Sequence, residues 1–268
     1  MARVLITGCS TGIGRETALE LTRRGHEVIA TARRPETLDD LDVKERLALD
    51  VTDQASIAAA VAAAGEVDVL VNNAGVGVRG PVEAVPLDDA RWAFETNVFG
   101  VIRMVQAIVP AMRERGSGTI VNVSSAAGRI GLPLSGHYST TKFALEALSE
   151  VLHYEVSHFG VRVVIVEPGF IATSFGENSR WAGMGEDESS PYAPLRRQIE
   201  SADTNALGGE QRPGPDIVAT AIADAVESDD PPLRVPAGVD AEMALATRAQ
   251  LDDAAFEKIM RQTLKIDW

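Results

Sequence analysis

The stretch that decides the fold is Arg3-Val4-Leu5-Ile6-Thr7-Gly8-Cys9-Ser10-Thr11-Gly12-Ile13-Gly14, which leads through Arg15 to Gly25. An apolar run of buried-strand type, residues 3–7, passes through a glycine-bearing turn into residues 12–24, where apolar side chains recur at helical spacing. Gly25 ends that helix, as a left-handed cap does. Strand, glycine turn and helix in this order suit a dinucleotide. The glycines let the backbone turn tightly and approach a pyrophosphate, and the open helix N-terminus offers free N–H groups and a positive dipole end. Tight turns need glycine in any case, so the weight rests on position: the turn follows the first strand directly and opens a helix.

Working outward, short apolar runs rich in Val and Ile alternate with longer amphipathic ones. Strands are predicted at 27–31, 47–49, 67–71, 119–123, 161–166 and 233–236. Helices are predicted at 52–63 (with Thr52 or Asp53 as N-cap), 88–115, 137–159, 216–227, 240–250 and 252–264. Pro110 is expected to kink the 88–115 helix near its end. Continuous apolar strands are covered on both faces. Repeated strand–helix–strand units imply right-handed crossovers and an open, doubly wound parallel sheet with helices on both sides, an α/β fold. The regularity breaks at 174–212, a polar stretch with a short helix predicted at 191–201. There is no sign of a second core, a linker or a repeat, so residues 1–268 read as one domain with one insertion.

Two further groups of residues carry chemistry. Dinucleotide sites often place an acid at the end of the second strand, where it binds the ribose 2′-hydroxyl. Here that stretch reads Ala30-Thr31-Ala32-Arg33-Arg34, with no acid before Glu36; a guanidinium at Arg33 suits a 2′-phosphate instead. Tyr138 and Lys142 stand at i and i+4 of one helix, so they share a face. An ammonium near a phenol is expected to lower its pKa from about 10, which fits the phenol for proton transfer. Ser125 could bind a substrate oxygen. Cys9 reads as a small buried filler, although a helix dipole can acidify a thiol. His137 reads as structural or rim-lying.

At this point the residues match a family. Thr7-Gly8-x-x-x-Gly12-Ile13-Gly14, Asn72-Asn73-Ala74-Gly75, Asn97, Ser125, Tyr138-x-x-x-Lys142 and Pro168-Gly169 occur in order, and the chain resembles the short-chain dehydrogenase/reductases. The likeness is dense over residues 2–175 and loose over 214–240. The resemblance implies a Rossmann-type fold and hydride transfer between NADP and a carbonyl or alcohol carbon. It makes Tyr138 the general acid in reduction and the base in oxidation. Lys142 would bind the nicotinamide ribose and depress the tyrosine pKa, Ser125 would orient the substrate oxygen, and Asn97 would hold a relay water. Around the cofactor it implies Gly8, Ser10, Thr11, Gly12, Ile13 and Gly14 at the phosphates, with Arg33 at the 2′-phosphate. Asp50 and Val51 would flank the adenine; Asn73, Ala74 and Gly75 would pass the adenosine ribose. Pro168, Gly169, Ile171 and Thr173 would line the nicotinamide. Members that use NADP often carry a base where Thr11 stands, which leaves the 2′-phosphate mainly to Arg33. The insertion falls where the family places its substrate lid; Trp181, Met184, Tyr192, Leu195 and Leu207 are its large apolar residues. The nearest-looking branch suggests a steroid-like or other bulky apolar carbonyl compound.

Composition bounds the rest. A net charge of −14 argues against nucleic acid or an anionic membrane as partner. A single cysteine forbids an internal disulfide and a cysteine-built zinc site, and no metal is expected. A chain that opens Met1-Ala2-Arg3 and enters a strand at once shows no signal peptide, and no run approaches the roughly 18 apolar residues of a membrane span; a cytoplasmic protein is expected. A silent NADP-sensing module is the competing reading, and intact Asn97, Ser125, Tyr138 and Lys142 speak against it. A sugar-nucleotide epimerase would need a longer C-terminal part and another glycine spacing. Trp92, Val98, Val101, Ile102, Val105, Ile108 and Met112 give the 88–115 helix more apolar surface than one sheet-facing stripe needs, so a homodimer or homotetramer is expected.

Overall fold

The structure is a computed structural model that describes residues 1–176, 179–183, 187–205 and 212–267. Its first half runs β1 (Arg3–Ile6), α1 (Gly12–Arg23), β2 (Glu27–Ala32), β3 (Glu45–Ala48), α2 (Gln54–Ala64), β4 (Val69–Asn72), β5 (Gly77–Arg79), α3 (Leu87–Phe94) and α4 (Gly100–Arg115). Then come β6 (Gly118–Val123), α5 (Gly136–Val156), β7 (Val161–Pro168), β8 (Ser179–Trp181), α6 (Ala193–Asn205), α7 (Asp216–Glu227), β9 (Arg234–Ala237), α8 (Val239–Gln250) and α9 (Asp253–Thr263).

Seven strands pair in the order β3-β2-β1-β4-β6-β7-β9, every pair parallel. The chain moves outward from β1 through β2 to β3, then returns to the far side of β1 for β4. That reversal opens a crevice at the carboxyl ends of the strands, where open α/β sheets bind ligands. Alternation in β1 explains the two-sided core. Val4 and Ile6 pack with α1 and α7 through Leu21, Val218 and Ile222, while Leu5 packs with α2, α4 and α5 through Ile57, Met104 and Leu152. Each fully buried Leu or Ile contributes about 1.5–3 kcal/mol, and both faces must be apolar for the sheet to bury itself.

Local chemistry sets the element ends. The Asp53 carboxylate accepts from the Ala55 N–H and caps α2. Gly25 takes φ +85° after α1, a conformation that costs an L side chain strain.

The helix expected over 88–115 is interrupted. Between α3 and α4 the segment Glu95–Phe99 is a π turn, whereas α4 continues through Pro110; the departure from α-helical bonding thus centres on Asn97. Four of the residues expected to feed an oligomer surface, Val98, Val101, Ile108 and Met112, are instead buried in the chain's own core. The apolar side chains left outside on α4, α5 and the π turn are Phe99, Phe143, Val151 and Tyr154.

β5 and β8 were not legible as strands. They form a separate two-stranded parallel piece, with Gly77 opposite Ser179 and Arg79 opposite Trp181, which ties the start of the 174–212 insertion down beside the site. The Tyr192 hydroxyl adds a 2.9 Å bond to Glu83, and Arg180 stacks on Trp92 at 3.9 Å. The insertion is polar, yet its described parts are docked by tertiary contacts. Among the described residues no helix is long and apolar enough to cross a membrane.

Candidate active site

The glycine turn is tied to the loop after β4 before any ligand arrives. The Thr7 hydroxyl accepts from the Asn73 and Ala74 N–H groups, both at 3.0 Å, and Asn73 Nδ2 donates to the Thr7 and Gly8 carbonyls. The glycines of the turn have different reasons. At Gly14 a Cβ would lie 2.3 Å from Asn73 Nδ2 and 2.4 Å from the Gly8 carbonyl, so glycine there allows the turn to close on the β4 loop. Gly12 has φ +58°, and its missing Cβ faces Thr173 across the crevice. α1 starts with no side-chain cap on its first N–H groups and no acid in its first turn. Four N–H donors at a helix start have no helical partner, so this turn suits an anion such as a pyrophosphate.

These elements face one continuous cavity of about 1210 Å3. A site for one small molecule is roughly 300–1,000 Å3, so this one has room for a dinucleotide and a second compound. Gly8, Ser10, Thr11, Gly12, Ile13, Arg33, Asp50, Val51, Asn73, Ala74 and Gly75 line it toward one end. Ser125, Tyr138, Lys142, Pro168, Gly169, Ile171 and Thr173 line it toward the other. Two expected residues stand behind the wall. Gly14 packs beneath the turn, and Asn97 is buried under β5. Arg33 is exposed and has no ion pair among the described residues.

Helix α5 is held in register by a buried polar line. Asn72 on β4 donates to Asn122 on β6, Asn122 donates to the Ser149 hydroxyl on α5, and Ser149 donates to the Leu145 carbonyl. Buried polar groups must be paired, so this chain of bonds fixes how far α5 extends past the sheet, and with it Tyr138 and Lys142. Asn97 contributes from the other side. Its Oδ1 accepts from the Val76 N–H at 2.8 Å, and its Nδ2 donates to the Val76 carbonyl and the Thr141 hydroxyl. Three of its four hydrogen-bonding capacities thus link the β5 approach to α5.

The electrostatics of the pair differ from the sequence expectation. Burial pushes the Tyr138 phenol up to about 12, against the opposing pull of the Ser125 hydroxyl bonded to it and the Arg79 charge. Burial also drives the Lys142 ammonium down to about 8, which the Glu146 carboxylate only partly resists. Lys142 Nζ donates to the Val123 carbonyl at 2.9 Å and lies 5.8 Å from the Tyr138 ring centroid. The expected lowering of the phenol pKa by Lys142 is not seen in the chain alone: removal from water dominates at both groups, and Lys142 is not among the influences on the phenol. At neutral pH the phenol holds its proton.

Some of the site was missed in the sequence. Asp240 at the start of α8 accepts from the Phe170 N–H at 2.7 Å and fills the space beside Gly169 where a Cβ would sit. Met243, Thr247, Phe256, Ile259 and Met260 of α8 and α9 line the cavity; the large apolar Met243, Phe256, Ile259 and Met260 in the otherwise polar C-terminal stretch were the available signal. Phe175 packs against the Tyr138 ring, centroids 5.6 Å apart. Of the expected lid residues, Trp181 and Tyr192 do not line the cavity, Leu195 faces a separate small cleft with Leu264, and Met184 and Leu207 lie outside the described residues. Cys9 is a filler: fully buried, its thiol is pushed up to about 12 and donates to the Ile6 carbonyl. His137 Nε2 lies 3.4 Å from the Val82 carbonyl, off the cavity.

Known proteins share this arrangement. The family model described as short chain dehydrogenase matches residues 2–182. A 3-ketodihydrosphingosine reductase of Bacteroides thetaiotaomicron is 34% identical over 266 residues, 96% of each chain. Retinol dehydrogenase 8 of Homo sapiens is 36% identical over 253 residues, 86% of this chain and 79% of that one. Among solved structures, a short-chain dehydrogenase from Streptomyces avermitilis superposes with a TM-score of 0.79 at 38% identity, covering 98% of both chains. One from Burkholderia cenocepacia in complex with NADP reaches 0.77 at 26% identity, over 98% of this chain and 97% of that one. One from Burkholderia phymatum in complex with NAD reaches 0.75 at 25%, over 92% of each.

Proposed function

This chain belongs to the short-chain dehydrogenase family and is an oxidoreductase, and from that premise we propose that it transfers a hydride between NADP(H) and a ketone or secondary alcohol whose body is bulky and apolar. The observation that carries this is the shared cavity: the uncapped start of α1 and the Ser125–Tyr138–Lys142 group face the same space.

The chain's residues fit a dinucleotide. The α1 N–H groups and the Gly8–Gly12 backbone would take the pyrophosphate. Arg33, the free guanidinium at the end of β2, would take a 2′-phosphate and so favour NADP over NAD. The cofactor, when bound, supplies or accepts the hydride and, oxidised, brings a positive ring to the catalytic end. Ser125 would orient the substrate oxygen. Tyr138 would give it a proton in reduction, the direction that a neutral phenol suits. Lys142 would hold the cofactor ribose and restore the charge at Tyr138. Asn97 positions α5 and Val76 and would hold a relay water that links Lys142 to solvent.

Met243, Phe256, Ile259 and Met260 support an apolar substrate body, and the names of the sphingoid and retinol relatives are in keeping with one. The insertion at 174–212 would act as a lid through Phe175, Gly176 and Ser179, which line the cavity. Exposed Phe99, Phe143, Val151 and Tyr154 would be covered by a second copy, giving a homodimer or homotetramer; a monomer in light scattering at micromolar concentration would contradict that. The net charge of −14 disfavours nucleic acid and anionic membranes as partners, and a cytoplasmic protein is in keeping with the single cysteine.

The deciding experiment is a panel of bulky ketones and secondary alcohols, with NADPH or NADP⁺ consumption followed at 340 nm. Turnover of at least one class supports the assignment. Tight NADPH binding with no turnover across the panel would instead support the sensing module.

A further inference from the structure

Arg79 closes β5 two residues beyond Gly77, is exposed, and lines the cavity toward the catalytic end. The chain has 39 acidic and 25 basic residues, so a guanidinium facing a cleft should readily find a carboxylate. Arg91 on the same cavity has Asp88 at 2.8 Å, and Arg103 takes Glu95. Arg79 has none among the described residues. Its guanidinium lies over the Trp181 ring, 5.8 Å from the centroid, near the roughly 6 Å limit of such attraction. A stacked guanidinium keeps its five N–H donors at its edge, free for an oxyanion. The carboxylates that line the cavity nearby are already used: Asp88 by Arg91, Glu95 by Arg103 and Asp240 by the Phe170 N–H.

We propose that Arg79 anchors an anionic group of the substrate, so that the compounds this site prefers are apolar ketones or alcohols that also carry a carboxylate or phosphate. This rests on the hydride-transfer reading of the same cavity. The backbone sets the spacing. A Cβ on Gly75 would lie 3.9 Å from Lys142 Nζ, and Arg79 follows four residues later. At about 3.3 Å per residue the chain carries its Cα at most roughly 13 Å from Gly75, which itself borders Lys142. The side chain reaches back from there, close enough for its charge to be felt at the Tyr138 phenol. The anion is therefore several bonds from the reacting carbon, not adjacent to it. The apolar body lies against α8 and α9, and the charge reaches toward β5. In an acidic protein an exposed cation with no carboxylate partner among the described residues also attracts an anion over distance.

The test compares keto acids of graded carbonyl-to-carboxylate spacing with their methyl esters, which differ chiefly in charge, under NADPH. The native protein should favour acid over ester at the best spacing by about 10- to 100-fold in kcat/KM, as one or two charge-assisted bonds give, mainly through KM. Added salt should erode that preference. Arg79→Met keeps the apolar stem and should abolish the acid preference while changing ester turnover far less; Arg79→Lys should retain part of it. If esters are reduced as well as acids by the native protein, or if Arg79→Met slows both equally, Arg79 is not an anion anchor, although the hydride-transfer assignment stands. If neither acids nor esters nor the wider ketone panel are turned over, the underlying assignment falls as well.

Discussion

Glu167→Gln should remove a pH dependence of stability that the native chain carries beside its cofactor cleft. Glu167 is 2% exposed on β7, immediately before Pro168. Burial pushes its carboxyl from 4.5 up to about 7, helped by the neighbouring Glu146 carboxylate and opposed by Arg129 and Arg234. Its contacts are long, 3.5 Å to Arg129 and 3.9 Å to Arg234, whereas Arg234 gives its close bonds to Glu146 at 3.0 Å and Glu150 at 2.6 Å. The folded chain therefore binds the proton more tightly than the unfolded one. The contribution is fully present below pH 4.5 and is lost as pH rises through 7. Raising the carboxyl from 4.5 to about 7 corresponds to roughly 3 kcal/mol in all, of which about 2 kcal/mol falls between pH 5.5 and 8. That is a large part of the ~5–15 kcal/mol by which domains are stable. Carboxylates whose pKa is lowered, such as Glu20 at about 2, act in the opposite sense but below this window. Urea unfolding of both proteins at pH 5.5 and 8 measures the effect. The native protein should lose about 2 kcal/mol more than Glu167→Gln over the interval, and the variant should be the more stable at pH 8. Parallel losses in the two proteins would refute the reasoning, because Glu167 would then titrate alike folded and unfolded.

Tyr138→Phe removes the transferable proton and almost no volume: turnover should fall by about 10²–10⁴ while NADPH affinity, by fluorescence titration, stays within about threefold; retention of a tenth of the activity would point to another acid. Arg33→Ala should erase most of a roughly 10- to 150-fold preference for NADPH over NADH, the worth of one or two charge-assisted bonds to a phosphate; equal dissociation constants in the native protein would sink the assignment. Trypsin should cut first within 174–212, at Arg180, Arg196 or Arg197, with Pro213 protecting Arg212. NADPH with an apolar ketone should slow those cuts, and first cuts elsewhere, or unchanged rates, would remove the lid.

The sequence by itself determined the doubly wound sheet and most of the lining of its crevice. Parallel strands buried on both faces are continuous Val- and Ile-rich runs, and turns that must pass close to one another require glycine, so both leave local marks. The helix period places Tyr138 and Lys142 on one face without any tertiary information. What only the tertiary structure decided depends on groups far apart in the chain. β5 and β8 are three residues each and exist because Gly77 and Ser179 meet across about a hundred residues. The π turn is paired with Asn97 reaching back to Val76, a bond no periodicity announces. The oligomer-facing surface could not be separated from core on α4, since both are apolar, and burial selected Phe99 over Val98. The protonation of Tyr138 turned on desolvation, which depends on everything packed around the phenol, whereas the spacing of Tyr138 and Lys142 shows only the attraction between them. That Arg79 has no carboxylate partner among the described residues is of the same kind, because whether a charge has a partner is a property of the folded neighbourhood and not of the residues beside it in the chain.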